Sequence, residues 1–184
     1  MQIFRWCDGT YLEDQDYIRL SGTGRDCYLY ALPEKHISDI RITTPLSDDY
    51  RTADMIADIL ISDNAETGCE LSCSIFDRDG KSCGSGQIDL KEGNNRISIT
   101  IPDVNLWSAE TPYLYNAVFC LKGKGGKVLH KVEKKIGFRE VLIENGQLKV
   151  NGKAILIKGV NRHETDPDFG HHVSYSRALQ DARI

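Results

Sequence analysis

Hydrophobic and polar residues alternate through the middle of the chain, and this period of two predicts an all-β module. The alternation is clearest at residues 95–101, where Ile97, Ile99 and Ile101 alternate with polar side chains, as in a strand with one face in water. Seven strands are predicted on this basis, at residues 36–43, 54–62, 69–77, 82–90, 95–101, 113–122 and 127–138.

Turn residues between the predicted strands favour antiparallel hairpins. Asp79-Gly80 and Gly125-Gly126 supply the positive φ angles that tight hairpin turns need. Seven short strands with such turns in about 100 residues are typical of an immunoglobulin-like sandwich. The Cys…Trp…Cys pattern of antibody domains is missing, so the sequence predicts this architecture without kinship to antibodies.

Two of the predicted strands indicate how the core is filled. In the segment CELSCSIF, Cys69, Leu71, Cys73 and Ile75 share one face, which predicts core packing by small hydrophobic side chains. Residues 113–121, YLYNAVFCL, are apolar on both faces and therefore predict a central strand. The chain has 6 cysteines but no Cys-x-x-Cys pair, so neither a zinc ribbon nor a disulfide framework is favoured.

The two flanks of this module carry different patterns. Before it, the strand-like pieces QIFRW (2–6) and CYLYAL (27–32) are separated by a polar loop. Two strands cannot bury a core alone, so we expect this flank to be the end of a preceding β domain.

After the module, Asn145-Gly146 and Asn151-Gly152 predict two hairpin turns around a short strand at 147–150. The segment ILIKGV (155–160) follows, and its apolar residues predict a strand of a parallel sheet covered on both faces. Ser174 is a suitable N-cap for a helix beginning in SYSRALQDARI. Strand, loop and helix together predict one βα unit.

Composition and charge narrow the possible functions. The 184 residues are 40% hydrophobic and 27% charged, as in an ordinary globular protein, and the net charge is −4. This negative charge argues against binding to nucleic acid, which calls for a basic face, so no nucleic-acid partner is expected. The N-terminus does not resemble a signal peptide and no apolar run approaches the roughly 20 residues that span a bilayer. These features predict a cytoplasmic protein without membrane contact.

The abrupt change of polarity after ILIKGV marks a candidate site. Asn161, Arg162, His163 and Glu164 follow the apolar segment directly. In parallel α/β folds the chemistry gathers at the carboxyl ends of strands, where the βα loops begin. The pattern therefore predicts an active-site mouth at residues 161–164, and the alternative is a surface loop with solvated charges.

Two acidic segments raise the question of metal binding. Residues 163–172 contain three histidines and three carboxylates, but the His-x-x-x-His spacing is missing, and Pro167 and Gly170 indicate a loop. A dedicated metal site is not favoured there. The segment EDQD (13–16) is open to two interpretations, a solvated acidic loop or a set of oxygens for a hard cation or sugar hydroxyls.

Three long strings of residues resemble the bacterial β-galactosidases of glycoside hydrolase family two. They are RWCDGTYLEDQDYIRLSGTGRDCYLYALP, LWSAETPYLYNAVF and IGFREVLIENGQLKVNGKAILIKGVNRHETDPDFG, and together with the segments between them they cover the chain in order. The last string is the most specific to the family. The EDQD segment is more similar to the β-galactosidase branch than to the β-glucuronidases or β-mannosidases.

The resemblance implies a mainly β chain with three parts. Residues 1–35 would be the C-terminal end of a sugar-binding jelly-roll domain, and residues 36–138 an immunoglobulin-like β-sandwich. Residues 139–184 would open a catalytic TIM barrel with its first βα unit. The chain is then expected to be an internal fragment of a longer enzyme, which in this family is commonly a homo-oligomer. Its incomplete flanks are predicted to pack back on the sandwich or to pair with another copy.

The same resemblance implies roles for particular residues. His163 matches the histidine that hydrogen-bonds the galactosyl group, and Asp16 matches the aspartate that binds sodium together with a galactose hydroxyl. Asn161, Arg162 and Glu164 are expected to support them. The implied cofactors are Mg²⁺ and Na⁺, and Asp8 is an open candidate for a peripheral cation site.

The resemblance also implies what this chain lacks. The family hydrolyses terminal β-D-galactosides, such as lactose, by a retaining mechanism with two glutamates roughly 5–5.5 Å apart. Neither glutamate motif is among the 184 residues, so the chain alone is expected to be inactive. Two alternatives stay open: a non-catalytic carbohydrate-binding or adhesive immunoglobulin-like module, and a relative that acts on glucuronides or mannosides.

Overall fold

A computed structural model of the chain describes residues 2–4, 6–12, 22–23, 25–62, 68–91 and 93–184. Two compact units form within it. The sandwich unit comprises Ala31–Ile157, and the terminal unit comprises Met1–Tyr30 together with Lys158–Ile184.

The sandwich unit contains two antiparallel sheets that face each other. Their strands are β1 (Ile37–Thr43), β2 (Ala53–Ile61), β3 (Glu70–Phe76), β4 (Ser82–Asp89), β5 (Asn95–Ile101), β6 (Tyr115–Lys122) and β7 (Val128–Ile136). One sheet has the order β1-β2-β5 and the other has the order β4-β3-β6-β7. Every strand lies within two residues of its predicted bounds, so the prediction of a mainly β, immunoglobulin-like sandwich is confirmed.

The core follows the alternation that the sequence predicts. In β5 every second residue from Asn95 to Ile101 is buried, and in β3 the face that carries Leu71, Cys73 and Ile75 is buried as well. The strand β6 lies inside its sheet, between β3 and β7, as its two apolar faces predict. Burial raises the pKa of Cys73 to about 12, so this thiol packs as a small hydrophobic group.

A buried aromatic pair closes one end of the core. Tyr115 and Phe138 meet edge to face with ring centroids 5.1 Å apart. The Tyr115 hydroxyl accepts a hydrogen bond from the backbone N–H of Asn105 at 2.9 Å, so the phenol oxygen keeps a partner inside the protein.

A small third sheet follows the sandwich within the same unit. It consists of β8 (Val141–Glu144), β9 (Gln147–Val150) and β10 (Lys153–Ala154). Asn145, Gly146, Asn151 and Gly152 all have φ angles between 49° and 73°, so both predicted hairpin turns are confirmed.

The side chain of Asn151 joins this small sheet to the sandwich. Its Nδ2 donates to the carbonyl of Trp107 at 3.0 Å, and its Oδ1 accepts from the N–H of Glu140 at 3.0 Å. The hydroxyl of Tyr50 donates to the carboxylate of Glu140 at 2.8 Å. The second hairpin turn is thus held by side chains as well as by strand pairing.

Three predicted strands are not formed. No strand forms at residues 27–32 or 155–160, nor among the described residues of segment 2–6. In the last segment Leu156 and Ile157 are 80% and 76% exposed. Apolar composition favours a strand, but a strand also needs a neighbour that pairs with its backbone groups. Within the described part of the chain, the only backbone hydrogen bond of segment 155–160 runs from the N–H of Ile155 to the carbonyl of Leu148.

The terminal unit contains two short helices, α1 (Asp8–Leu12) and α2 (Tyr175–Asp181). The hydroxyl of Ser174 accepts a hydrogen bond from the N–H of Arg177 at 3.3 Å, so the predicted N-cap is confirmed. Neither helix is long and apolar enough to cross a membrane, and the same holds for every helix in the described residues.

Candidate functional site

The predicted site residues lie in the terminal unit, in the loop that leads to α2. Asn161, Arg162, His163 and Glu164 are all exposed, as a loop that meets a ligand requires. The carbonyl of His163 accepts a hydrogen bond from the N–H of Thr165 at 3.0 Å, which turns the chain back directly after the motif. We call residues 161–164 the NRHE loop.

Arg162 is held by an ion pair to the last residue of α2. Its Nε and Nη2 donate to the same oxygen, Oδ2 of Asp181, at 3.1 and 2.6 Å. Both side chains are only about one-third exposed, at 34% and 35%. Arg162 therefore has a fixed partner at the end of α2.

Asp166 closes the turn that follows the NRHE loop. Its side chain is buried, and Oδ1 accepts from the N–H groups of Asp168 and Phe169 at 2.9 and 3.1 Å. Oδ2 accepts from Nε of Arg177 at 3.3 Å. The hydrogen bond from Asp168, followed by those from Phe169 and Arg177, outweighs burial and lowers the pKa of Asp166.

The backbone of Asp166 completes that turn. Its N–H and C=O pair with the C=O and N–H of Gly170, at 2.7 and 2.9 Å. Gly170 has φ 65°, a conformation that glycine adopts without strain. Residue-type patterns alone did not identify this role, although Asp, Pro and Gly within one short segment are a turn signal.

Glu164 faces a different part of the terminal unit. Its Oε2 accepts from Nη2 of Arg25 at 3.2 Å, so a residue from the first part of the chain lies beside the motif. An open cleft of about 420 Å³ adjoins this pair. Its polar lining residues are Arg25, Asp26, Glu164, His172, Ser174 and Tyr175.

The described residues do not assemble a metal site. Within that part of the chain, no group of three or more His, Cys, Asp or Glu side chains is placed to hold one ion. The same holds for the crowded segment 163–172, in which Asp166 uses its carboxylate for the turn. Asp16, the predicted sodium and sugar ligand, lies outside the described residues, and Asp8 begins α1.

Comparison with protein families assigns most of the chain. The model of Glycosyl hydrolases family 2 matches residues 35–139, and that of Glycosyl hydrolases family 2, TIM barrel domain, matches residues 141–184. The chain is 39% identical over its whole length to Beta-galactosidase 2 of Enterobacter cloacae, and 37% identical over 99% of its length to Beta-galactosidase of Lactococcus lactis. It spans only 19% and 17% of the length of these two relatives.

Solved structures show the same fold. The crystal structure of Ruminococcus gnavus beta-glucuronidase superposes with a TM-score of 0.71, over 83% of this chain and 24% of that one. The sequence identity is 22%, so this similarity concerns the fold alone. Family models and whole-length relatives agree, and the chain belongs to glycosyl hydrolases family 2.

Proposed function

We propose that the protein carrying this chain is a β-galactosidase, which cleaves terminal β-D-galactosides such as lactose. The observation that carries this proposal is the 39% identity over the whole chain to Beta-galactosidase 2 of Enterobacter cloacae. That match includes the NRHE loop, the candidate site on which the sequence pattern and the family resemblance agree. The sugar would be bound at the C-terminal mouth of the TIM barrel, where the loops after the strands meet.

His163 is the proposed substrate-binding residue of this chain. Its exposed imidazole can donate a hydrogen bond to a galactose hydroxyl. Such a bond assists catalysis only if it is stronger in the transition state than in the bound substrate. Retaining hydrolysis flattens the sugar ring toward an oxocarbenium ion, which changes the position of the ring hydroxyls. A donor fixed for that flattened geometry lowers the barrier.

Three neighbouring residues are proposed to support His163. Arg162 is anchored to Asp181, Glu164 is paired with Arg25, and Asn161 leads into the loop. The two carboxylates that break and remake the glycosidic bond would come from other parts of the enzyme. Because Glu164 is committed to Arg25 and matches neither glutamate motif, we do not assign it a catalytic role.

The ions and assembly of the whole enzyme are also proposals. We propose that Asp16 binds Na⁺ together with a sugar hydroxyl, and that the enzyme contains Mg²⁺. Carboxylate oxygens are suitable ligands for hard cations. We further propose a cytoplasmic homo-oligomer whose partner molecule is the galactoside.

A segment exchange tests the proposed activity. The 184 residues would replace the matching segment of Beta-galactosidase 2 of Enterobacter cloacae, which aligns with this chain over its full length. We call the product the exchanged enzyme. It is expected to hydrolyse nitrophenyl β-galactoside with a kcat/KM at least about 100-fold above those for the β-glucuronide and β-mannoside. Sites built to hydrogen-bond a substrate hydroxyl reject analogues that cannot make that bond by about 10⁴–10⁵, so this threshold is a low one.

The controls separate the alternatives. The 184-residue chain alone should not turn over the galactoside, because the covalent step needs a nucleophile and an acid/base. A folded exchanged enzyme that prefers the glucuronide or the mannoside would contradict the assignment to galactosides. A folded exchanged enzyme that hydrolyses none of the three substrates would contradict a role in hydrolysis.

A further inference from the structure

We propose that helix α2 positions His163 through two ion pairs, with Asp181 and Arg177 as the positioning residues. This inference rests on the proposed function of His163 as a substrate-binding residue. It concerns contacts within the terminal unit only.

The first pair acts immediately before His163. Arg162 donates twice to Oδ2 of Asp181, at 3.1 and 2.6 Å, although 19 residues separate the two positions. A guanidinium that donates through two nitrogens is restricted in direction as well as in distance. Because Arg162 and His163 share a peptide bond, fixing Arg162 restricts the backbone from which the imidazole projects.

The second pair acts shortly after His163 and has the opposite orientation of charge. Here the loop supplies the acid, Asp166, and the helix supplies the base, Arg177, with Nε 3.3 Å from Oδ2. Asp166 is itself fixed by the N–H groups of Asp168 and Phe169. The loop is therefore anchored on both sides of His163. Before His163 the anchor is the basic side chain of Arg162, and after it the acidic side chain of Asp166.

Both anchors depend on the same helix. Arg177 and Asp181 are four residues apart on α2, so their side chains lie on one face. The hydroxyl of Ser174 caps the first turn and thereby fixes the start of that face. A substrate-binding group whose backbone is already restrained loses less freedom when the sugar binds, and this is the physical advantage of the arrangement.

The first pair is suited to positioning more than to stability. The side chains of Arg162 and Asp181 are 34% and 35% exposed, and partly exposed ion pairs contribute little to the free energy of folding. Loss of this anchor should therefore misplace His163 without unfolding the protein. A displacement of about 1 Å at a reacting group can reduce the rate about 100-fold, so the effect on turnover can be large.

The variant Asp181→Asn tests the proposal in the exchanged enzyme. It keeps the size of the side chain and removes the charge that holds Arg162. We expect kcat to fall about 10- to 100-fold, with a smaller change in KM and with Tm within about 2 °C of the parent. Asp181→Glu restores a carboxylate and should recover a large part of kcat.

Asp168→Asn is the matched control. Asp168 lies in the same loop, is exposed and undergoes the same chemical change, but its side chain holds neither anchor. Its kcat should stay within about twofold of the parent. If Asp181→Asn also stays within twofold, or if Asp181→Asn lowers Tm and kcat together and Asp181→Glu recovers neither, the positioning role is wrong.

A measurement on the 184-residue chain keeps this test independent of enzyme activity. Nuclear magnetic resonance relaxation of the His163 backbone amide should report greater mobility in Asp181→Asn than in the parent and in Asp168→Asn. Equal mobility in all three proteins would overturn the proposal. An exchanged enzyme without galactosidase activity would count against the proposed function, while the relaxation data would still decide whether α2 restrains His163.

Discussion

At the scale of single residues, His130 joins the two sheets of the sandwich at one side. Its Nδ1 accepts a hydrogen bond from the N–H of Ile37 at 3.0 Å, which connects the edge strand β7 to the edge strand β1. His36 meets it edge to face, with ring centroids 6.1 Å apart. A ring nitrogen can accept only when it carries no proton, so the contact requires neutral His130.

This requirement predicts a pH dependence of stability. Burial, followed by the charge of His36, lowers the pKa of His130 below its usual value of 6.5. The unfolded chain therefore binds a proton at a higher pH than the folded chain does. The contribution of His130 is fully present above pH 6.5 and is lost as the pH falls toward the lowered pKa.

Thermal unfolding at two pH values checks this prediction. The Tm of the chain should be lower at about pH 5.5 than at about pH 7.5, and His130→Gln should reduce that difference because glutamine does not titrate. An equal Tm for the parent chain at both pH values would show that His130 does not couple folding to protonation.

The candidate site was predictable at the residue scale only in part. Polarity after an apolar segment indicated the NRHE loop, because such a change is local in the sequence. The partners of that loop were not predictable, since Arg25 and Asp181 are far from it in the sequence and reach it only through the fold. A metal site in segment 163–172 was not favoured from the sequence, but the role of its carboxylate Asp166 in closing a turn was not predicted either.

At the scale of elements, two glycines let the sheets approach closely. Gly84 lies on β4, and an added Cβ there would lie 2.7 Å from Cγ2 of Ile99 on β5. At Gly86 the corresponding distance to Cγ2 of Ile97 is 3.0 Å. Both contacts fall on branched side chains of the core, which cannot move without disturbing their neighbours.

Substitution of Gly84 therefore has a predictable effect. Gly84→Ala should destabilise the chain by about 1–3 kcal/mol, because the added methyl group overpacks the interface between the sheets. Gly159→Ala is the matched control, since an added Cβ there meets nothing within 4 Å. Urea unfolding of both variants measures the difference. Equal stability of the two variants would show that the sheets can separate at this point at little cost.

Elements were predictable where the signal was local. In the seven strands of the sandwich, apolar and polar residues alternate with a period of two. Each of these strands pairs with at least one other strand of its sheet. The segment ILIKGV has the composition of a strand but does not form one in the structure. Composition is a local property, whereas pairing depends on a second segment that the composition does not identify.

At the scale of the whole molecule, the sandwich unit is expected to fold by itself. It contains both sheets and the core, and contacts beyond residues 37–138 support it. Glu34, which precedes that range, accepts a hydrogen bond at its carbonyl from the hydroxyl of Ser62 at 3.1 Å. After that range, Asn151 bridges Glu140 and Trp107.

Two fragments test this expectation. Residues 31–157 and residues 37–138 should both unfold cooperatively, because both include all seven strands. The longer fragment should be more stable by about 1–3 kcal/mol, since it keeps the hydrogen bonds of Glu34 and Asn151. Calorimetry measures both transitions. A broad, non-cooperative transition of residues 31–157 would show that the terminal unit is needed to complete the core.

The central claim is that His163 belongs to the substrate-binding site of a β-galactosidase. Kinetic analysis of His163→Ala in the exchanged enzyme, together with its Tm, tests that claim most directly. Loss of one donor that acts in the transition state costs about 2–4 kcal/mol, so kcat/KM for the galactoside should fall roughly 30- to 1000-fold. The Tm should change by less than about 2 °C, since an exposed loop residue contributes little to packing. A kcat/KM within twofold of the parent, in an enzyme that stays folded, would contradict the account.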